Sequence, residues 1–319
     1  MSDIQAEIEN CWIPQRADPY VYRHTDGNYY FTASVPSYDR IILRKSNSLL
    51  GLSEAEEVTI WKKHTIGPMS FHIWAPELHY LNNKWYLYFA AGNRENIWAI
   101  RPYVLECSDE DPITGTWIEK GKMQRAAEDE FSFKSFSLDG TVFENDGKHY
   151  YVWAEKTGVG KMISNLYIAE MKTPTTLKTV QVQLTTPDYD WERVDYWVNE
   201  GPSVLKKNGK IYLTYSASAT SACYCIGMLT AEAGSDLLDP ASWKKSRYPV
   251  LQTDAEKRIY GPGHNSFSVT EDGRDIMVYH ARPYSELIDD PLLDPNRHAY
   301  LMEVEWNDDL SPRFEFKHT

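Results

Sequence analysis

Nowhere in the chain do eighteen apolar residues run together, and that absence excludes a membrane-spanning helix. Positive charge is scarce: 33 Lys and Arg stand against 46 Asp and Glu, for a formal net charge of −13. No basic stripe is left to neutralise phosphates, so nucleic acid is excluded as a partner and polyanionic substrates are disfavoured. Cysteine is sparse as well. The four, Cys11, Cys107, Cys223 and Cys225, follow no common zinc-ligand spacing. The opening residues, MSDIQAEIENCWIPQ, carry neither a basic n-region nor an apolar h-region. A cytoplasmic location, reduced thiols and no membrane partner are the expectations that follow. Long amphipathic helical patterns are missing too, and this leaves the fold to strands.

What the sequence has in quantity is aromatic side chains, 13% of all residues, with 22 Tyr and 11 Trp. Such residues suit the pleated surface of a β-protein. Most belong to its core; the rest suit a cleft in which flat rings cover the apolar faces of sugars.

Five stretches resemble one another. They begin ADPYVYRHTDGNYYF at Ala17, APELHYLNNKWYLYF at Ala75, LDGTVFENDGKHYYV at Leu138, EGPSVLKKNGKIYLT at Glu200 and GHNSFSVTEDGRDIMV at Gly263. Each has a short apolar strand, a turn and a second alternating strand. The turns TDGN, LNNK, NDGK, KNGK and EDGR supply the positive φ angles that tight hairpins need. The openings at Asp18, Ala75, Asp139, Glu200 and His264 are 57, 64, 61 and 64 residues apart. A period near 60 that consumes almost the whole chain predicts one all-β domain over residues 1–319, a five-bladed β-propeller with four strands to a blade.

The repeat also predicts a site. Innermost strands of a propeller start at one end of a common channel, so Asp18, Asp139, Glu200 and His264 converge there. Taken singly, Asp18 and Asp139 are residues that any turn favours, and His264 is an ordinary core histidine. Glu200 is a poor turn former, and its place in the same register marks a carboxylate cluster. Mutual repulsion should raise at least one of these pKa values, the condition for a general acid.

At this point the sequence resembles glycoside hydrolase family 43, five-bladed propeller enzymes that cleave arabinofuranosyl or xylosyl linkages. The matching stretches are RADPYV around Asp18, IWAPEL at Trp74 to Leu78, SLDGTVF around Asp139, VNEGPSVL around Glu200 and YGPGHNSF around His264. The resemblance implies that Asp18 is the general base, Glu200 the general acid and Asp139 the residue that orients Glu200 and tunes its pKa. It implies single-displacement hydrolysis with inversion and no cofactor in the chemistry. A structural calcium or other hard cation at His264 is also implied. Much of the family has Asp-Pro in the third blade, where this chain has Asp139–Gly140, and many relatives carry Asp where Glu77 stands.

The wording of FTASVPSYDRIILRK, HIWAPELHYLNNKW and YDWERVDYWVNEGP is similar to that of the family's α-L-arabinofuranosidases. The expected substrate is an arabinan-derived oligosaccharide, cut from its end. His72, Trp74, Glu77, Trp197 and Arg282 are the expected sugar-site residues. Glu77 supports the site without entering the chemistry, Trp197 is a stacking wall, and Arg282 reaches back towards the carboxylates. A β-xylosidase, or an enzyme with both activities, fits the three acids equally well. A propeller that binds sugar without cutting it is the alternative of another class. The rim stretches 93–135 and 283–298 give no readable pattern, and AAEDEFSFKSF reads as a solvated rim loop.

Overall fold

The computed structural model describes residues 11–157 and 163–316. Three of the five predicted turns take the two-residue form in which both central residues are left-handed. These are Asn82–Asn83 (φ 51° and 60°), Asp146–Gly147 (51° and 71°) and Asn208–Gly209 (53° and 75°). Their twist matches that of the flanking strands. In TDGN and EDGR one glycine carries the positive φ, Gly27 at 88° and Gly273 at 86°.

Among the described residues the fold is all-β apart from three single 3₁₀ turns. A first antiparallel sheet is formed by β1 (Ala17–Arg23), β2 (Tyr29–Ser34), β3 (Arg40–Ser46) and β4 (Val58–Lys62), and a second by β5 (Pro68–Leu81), β6 (Lys84–Asn93), β7 (Asn96–Cys107) and β8 (Trp117–Lys122). Next come β9 (Ser137–Asn145), β10 (Lys148–Lys156), β11 (Ile163–Thr173), β12 (Thr176–Leu177) and β13 (Val182–Thr185). They are joined to β14 (Trp197–Lys207), β15 (Lys210–Ala217), β16 (Cys225–Glu232) and β17 (Lys244–Lys245) by a short parallel pairing of Ile163 with Trp197. The chain ends with β18 (Tyr260–Val269), β19 (Asp275–Arg282) and β20 (His298–Glu303), and a small pair, β21 (Glu305–Trp306) and β22 (Pro312–Arg313).

The first strands β1, β5, β9, β14 and β18 touch in succession, and β18 returns to β1. Alternation along each strand sends large apolar side chains to both faces, so each sheet packs on two neighbours. Leu43, Trp85 and Leu105 fill one such layer, and Tyr88, Tyr151 and Trp153 the next. Val152, Ile168 and Leu213 fill a third, Tyr212, Met277 and Tyr279 a fourth. Phe31, Ile42, Val278 and Leu301 join the last sheet to the first. Trp12 and Ile13 complete that seam by donating their N–H groups to the Ala299 carbonyl (3.0 and 3.2 Å).

AAEDEFSFKSF is exposed at Ala127, Glu128, Glu130, Phe131 and Lys134, as a solvated loop should be, and it is also anchored: Asp129 is fully buried and accepts the N–H groups of Phe131, Ser132 and Gln181. Cys107, Cys223 and Cys225 stand as thiols.

Candidate active site

The tight corner before each repeat is a β-bulge. Ala17, Trp74, Leu138, Glu200 and Gly263 pair with Ser34, Ala90, Ala154, Ser216 and His280, and one extra residue then enters each first strand. Next to the paired residue stands a left-handed one: Asp18 (φ 52°), Ala75 (46°), Asp139 (54°), Gly201 (54°) and His264 (43°). Asp and His are among the side chains that tolerate this region best, and a bulge re-aims the side chain it carries. Glu200 therefore stands one place earlier than the sequence register set it. Its structural equivalents are Trp74 and Leu138, which share a cavity wall with it.

Neighbouring sheets hold these corners. The N–H of Asp18 donates to His280 Nδ1 (3.0 Å) and that of Ala75 to Ser34 Oγ (2.8 Å). Gly201 N–H donates to Asp139 Oδ2 (3.0 Å) and His264 N–H to Ser216 Oγ (2.7 Å). Each acceptor comes from the preceding sheet or hairpin. Asp139 thus fixes the backbone directly after Glu200.

Asp18, Asp139, Glu200 and His264 meet at one cavity of about 820 Å³, a size typical of small-ligand sites, roughly 300–1,000 Å³. Around Asp18 are Ser34 Oγ (2.5 Å), Arg297 Nη1 (3.4 Å) and His264 Nδ1 (3.4 Å). Burial alone would push its carboxyl up; His264 and Arg297 hold it well below the usual range. His280 adds no charge, because burial pushes it down to about 3 and its Nδ1 already accepts the Asp18 N–H. Asp139 and Glu200 go the other way. Burial raises both, Asp139 to about 7, and repulsion from Asp18 adds to each. Tyr224 donates to Glu200 Oε1 (2.9 Å) and, with His264 and Lys156, restrains the rise. The arrangement sets one carboxyl with a lowered pKa beside two whose pKa values are raised, the separation that acid–base chemistry on one substrate uses.

The expected sugar-site residues divide. Trp74 and Trp197 line the cavity; the Arg193 guanidinium lies 4.5 Å over the Trp197 ring. His72, Glu77 and Arg282 are not among the lining residues. His72 is sandwiched by Trp74 (4.2 Å) and Trp98 (5.1 Å), and burial lowers its pKa to about 4. Glu77 is buried against His79 Nε2 (2.9 Å). Arg282 does not reach the carboxylates. Its guanidinium donates to the carbonyls of Thr220 and Pro291 (2.7 Å each) and to Asp294 (3.3 Å), and so fastens two rim segments together. The arginine that faces Asp18 is Arg297, in a stretch with no repeat signal. Lys156, Tyr224, Trp98, Phe136, Tyr196 and Leu292 also line the cavity and were not expected. Behind Trp197 and Glu200, the fully buried Glu192 accepts from Asn199 Nδ2, Tyr215 Oη and Lys245 Nζ (2.9, 3.0 and 2.8 Å), which gives YDWERVDYWVNEGP a structural purpose.

A hard cation at His264 would have that one side chain and water as its donors. Among the described residues no group of three or more His, Cys, Asp or Glu side chains is arranged to hold a metal. Burial opposes charge on His264, yet Asp18, Asp139, Glu200 and Glu77 together raise its pKa. Its Nδ1 lies 3.4 Å from Asp18 and 3.8 Å from Asp139. The His264 ring thus stands between the two aspartates.

Comparison with known proteins agrees with this geometry. Over 287 residues the chain is 53% identical to the extracellular exo-α-(1→5)-L-arabinofuranosidase of Streptomyces chartreusis, covering 90% of this chain and 86% of that one. It is 50% identical over 306 residues to the protein of the same name from Streptomyces avermitilis, covering 96% of this chain but spanning only 62% of that relative's length. The crystal structure of α-L-arabinofuranosidase from Lactobacillus brevis matches all of both chains with a TM-score of 0.92 at 49% identity. Two of these relatives are named extracellular, and that overturns the cytoplasmic expectation. The lack of a leader pattern in MSDIQAEIENCWIPQ carries no weight against them. Residues 8–312 match the family model for glycosyl hydrolases family 43, the family to which this chain belongs.

Proposed function

We propose that the chain is an inverting, exo-acting α-L-arabinofuranosidase that removes terminal arabinofuranosyl units from arabinan-derived oligosaccharides. Asp18 takes a proton from the attacking water as its oxygen bonds to the anomeric carbon. Glu200 gives a proton to the glycosidic oxygen as that bond breaks. The transition state is oxocarbenium-like, and inversion needs room for the water between the two carboxyls. Asp139 orients Glu200 through the Gly201 N–H and shares its raised pKa. Trp74 and Trp197 are sugar-facing walls. Protein groups alone carry the chemistry, with no cofactor. The fold that presents them is a single five-bladed β-propeller domain. Support for it comes from the five repeated bulges and from the apolar layers between successive sheets, the last sheet to the first included.

The observation that carries the proposal is that Asp18 and Glu200 line one cavity in opposite surroundings, Asp18 against Ser34, Arg297 and His264 and Glu200 buried against Tyr224, which lower the first pKa and raise the second. Exo action and the α-1,5 linkage follow from what the relatives are named for. Linear α-1,5-arabinotriose and longer oligomers, digested in the presence of EDTA, test the reading. Arabinose is expected as the sole early product with stepwise shortening, and proton NMR at early times should show the inverted anomer. Early mixed oligomers would sink exo action, a retained anomer would sink the single displacement, and cleavage of xylobiose alone would reassign the substrate.

A further inference from the structure

Tyr38 lines no part of the cavity, yet its hydroxyl joins two things that do. It ends the turn after β2, where its N–H closes on the Val35 carbonyl (2.9 Å) and its own carbonyl accepts the Ile73 N–H (3.2 Å). Its backbone is left-handed, φ 47°, a strained state for a bulky side chain that persists only where the surroundings impose it. The ring is held edge-on to Trp74, centroids 5.8 Å apart. From that fixed position the hydroxyl donates to the Leu292 carbonyl (2.8 Å) and accepts from Arg297 Nη2 (2.8 Å). The other arm of Arg297, Nη1, faces Asp18 Oδ1 (3.4 Å). Leu292, Arg297 and Asp18 all line the cavity.

The stretch 34–38 therefore holds Asp18 at both oxygens. Ser34 bonds Oδ2 directly (2.5 Å), and Tyr38 reaches Oδ1 through Arg297. The same hydroxyl also fastens the wall segment that Arg282 and Asp294 brace from behind.

We propose that Tyr38 is a positioning residue that ties the cavity wall at Leu292 to the guanidinium facing Asp18, so that one hydroxyl sets both the wall and the base. The inference rests on the proposed function only for the role of Asp18 in turnover. Other charged and titratable groups surround Asp18: His264 on β18, His280 on β19, and Asp139 and Glu200 on β9 and β14. Arg282 and Tyr224 stand near Arg297. Tyr38→Phe leaves all of these side chains in place and keeps the ring packing.

The test compares wild type, Tyr38→Phe, Arg297→Met and the double variant. Asp18 titration is read directly by carbon-13 NMR of labelled aspartate, its resonance identified by its loss in Asp18→Asn. Tyr38→Phe should raise the Asp18 midpoint by about one pH unit, a tenfold change in proton affinity. The acidic limb of kcat/KM should move up with it, and KM should rise about three- to tenfold as the wall loses its donor. In the Arg297→Met background Tyr38→Phe should move the Asp18 midpoint no further, because the two act through one contact. An unchanged Asp18 midpoint in Tyr38→Phe, with only a lower Tm, overturns the inference. So does a full additional shift in the double variant. A raised midpoint in a protein inert towards arabinofuranosides upholds the Tyr38 link and sinks the proposed function instead.

Discussion

Asp18 and Glu200 are the same functional group set in opposite surroundings. Asp18 faces His264 and the Arg297 guanidinium, whereas for Glu200 burial and the repulsion of Asp18 outweigh the Tyr224 phenol, His264 and Lys156. The consequences for pH have opposite signs. The base must be ionised, so turnover falls only when pH drops through the depressed Asp18 value. The acid must be protonated, so turnover falls as pH rises through the elevated range shared by Glu200 and Asp139, the latter near 7. The kcat/KM profile should be a broad bell centred on the acid side of neutrality. Tyr224→Phe tests the basic limb. It removes the hydrogen bond that favours ionised Glu200, and a stopped assay across pH should show that limb moving upward while the acidic limb stays. Glu200→Gln should lower kcat about 10²–10⁴-fold on oligosaccharides, with far less loss when the leaving group is an activated phenol that needs no proton. The three acids were legible in the sequence because each stands at the corner of its repeat, Asp18 and Asp139 at one position and Glu200 beside it. Arg297 and Tyr224 were not, since neither belongs to a repeated position and each acts through a contact spanning many residues, 279 for Arg297 and Asp18.

At the scale of the strand, the bulge accounts for what the sequence alone left half-read. The hairpin turns were plain, because Asn-Gly and Asp-Gly have few other uses. The extra residue in each first strand was not, because alternation looks the same on either side of it, and Glu200 was therefore set one place late. The departure at Gly140 finds its reason here too. The sharp backbone belongs to Asp139; Gly140 is small because a Cβ there would fall 1.7 Å from the Tyr151 hydroxyl and 2.2 Å from its ring. Tyr151 is fully buried among Tyr88, Phe133 and Trp153 and has little freedom to withdraw. Gly140→Ala should therefore destabilise the protein by about 1–3 kcal/mol, the usual penalty of overpacking. Displacing the neighbouring Asp139 should lower kcat as well. Thermal unfolding and initial rates on the same preparation check both. A variant with normal Tm and normal turnover would show that the strand can shift without cost.

Over the whole molecule, the base lies where the two ends of the described chain meet. Asp18 is on the first strand, while His264 and His280 are on β18 and β19 and Arg297 stands just before β20, so the environment that keeps it ionised exists only when the seam is closed. Period and order in the sequence pointed to such a closure. They gave no sign of its fastening, because CWIP carries no strand alternation. Trp12 supplies part of that fastening. It is 3% exposed, lies edge-on to Phe31 at 5.7 Å, and is followed by Ile13, which exchanges backbone hydrogen bonds with Ala299. Sheets that each cover two neighbours share their stability through those interfaces, so a cavity at the seam weakens the ring as a unit. Trp12→Ala should cost about 3–5 kcal/mol, as large aromatic truncations in cores do. Activity and the near-ultraviolet circular dichroism of the buried aromatics should then be lost together on heating, at a lower temperature than in wild type. Loss of activity well before the dichroism changes would mean that the seam opens alone and that Asp18 loses its cations while the rest of the molecule stays folded.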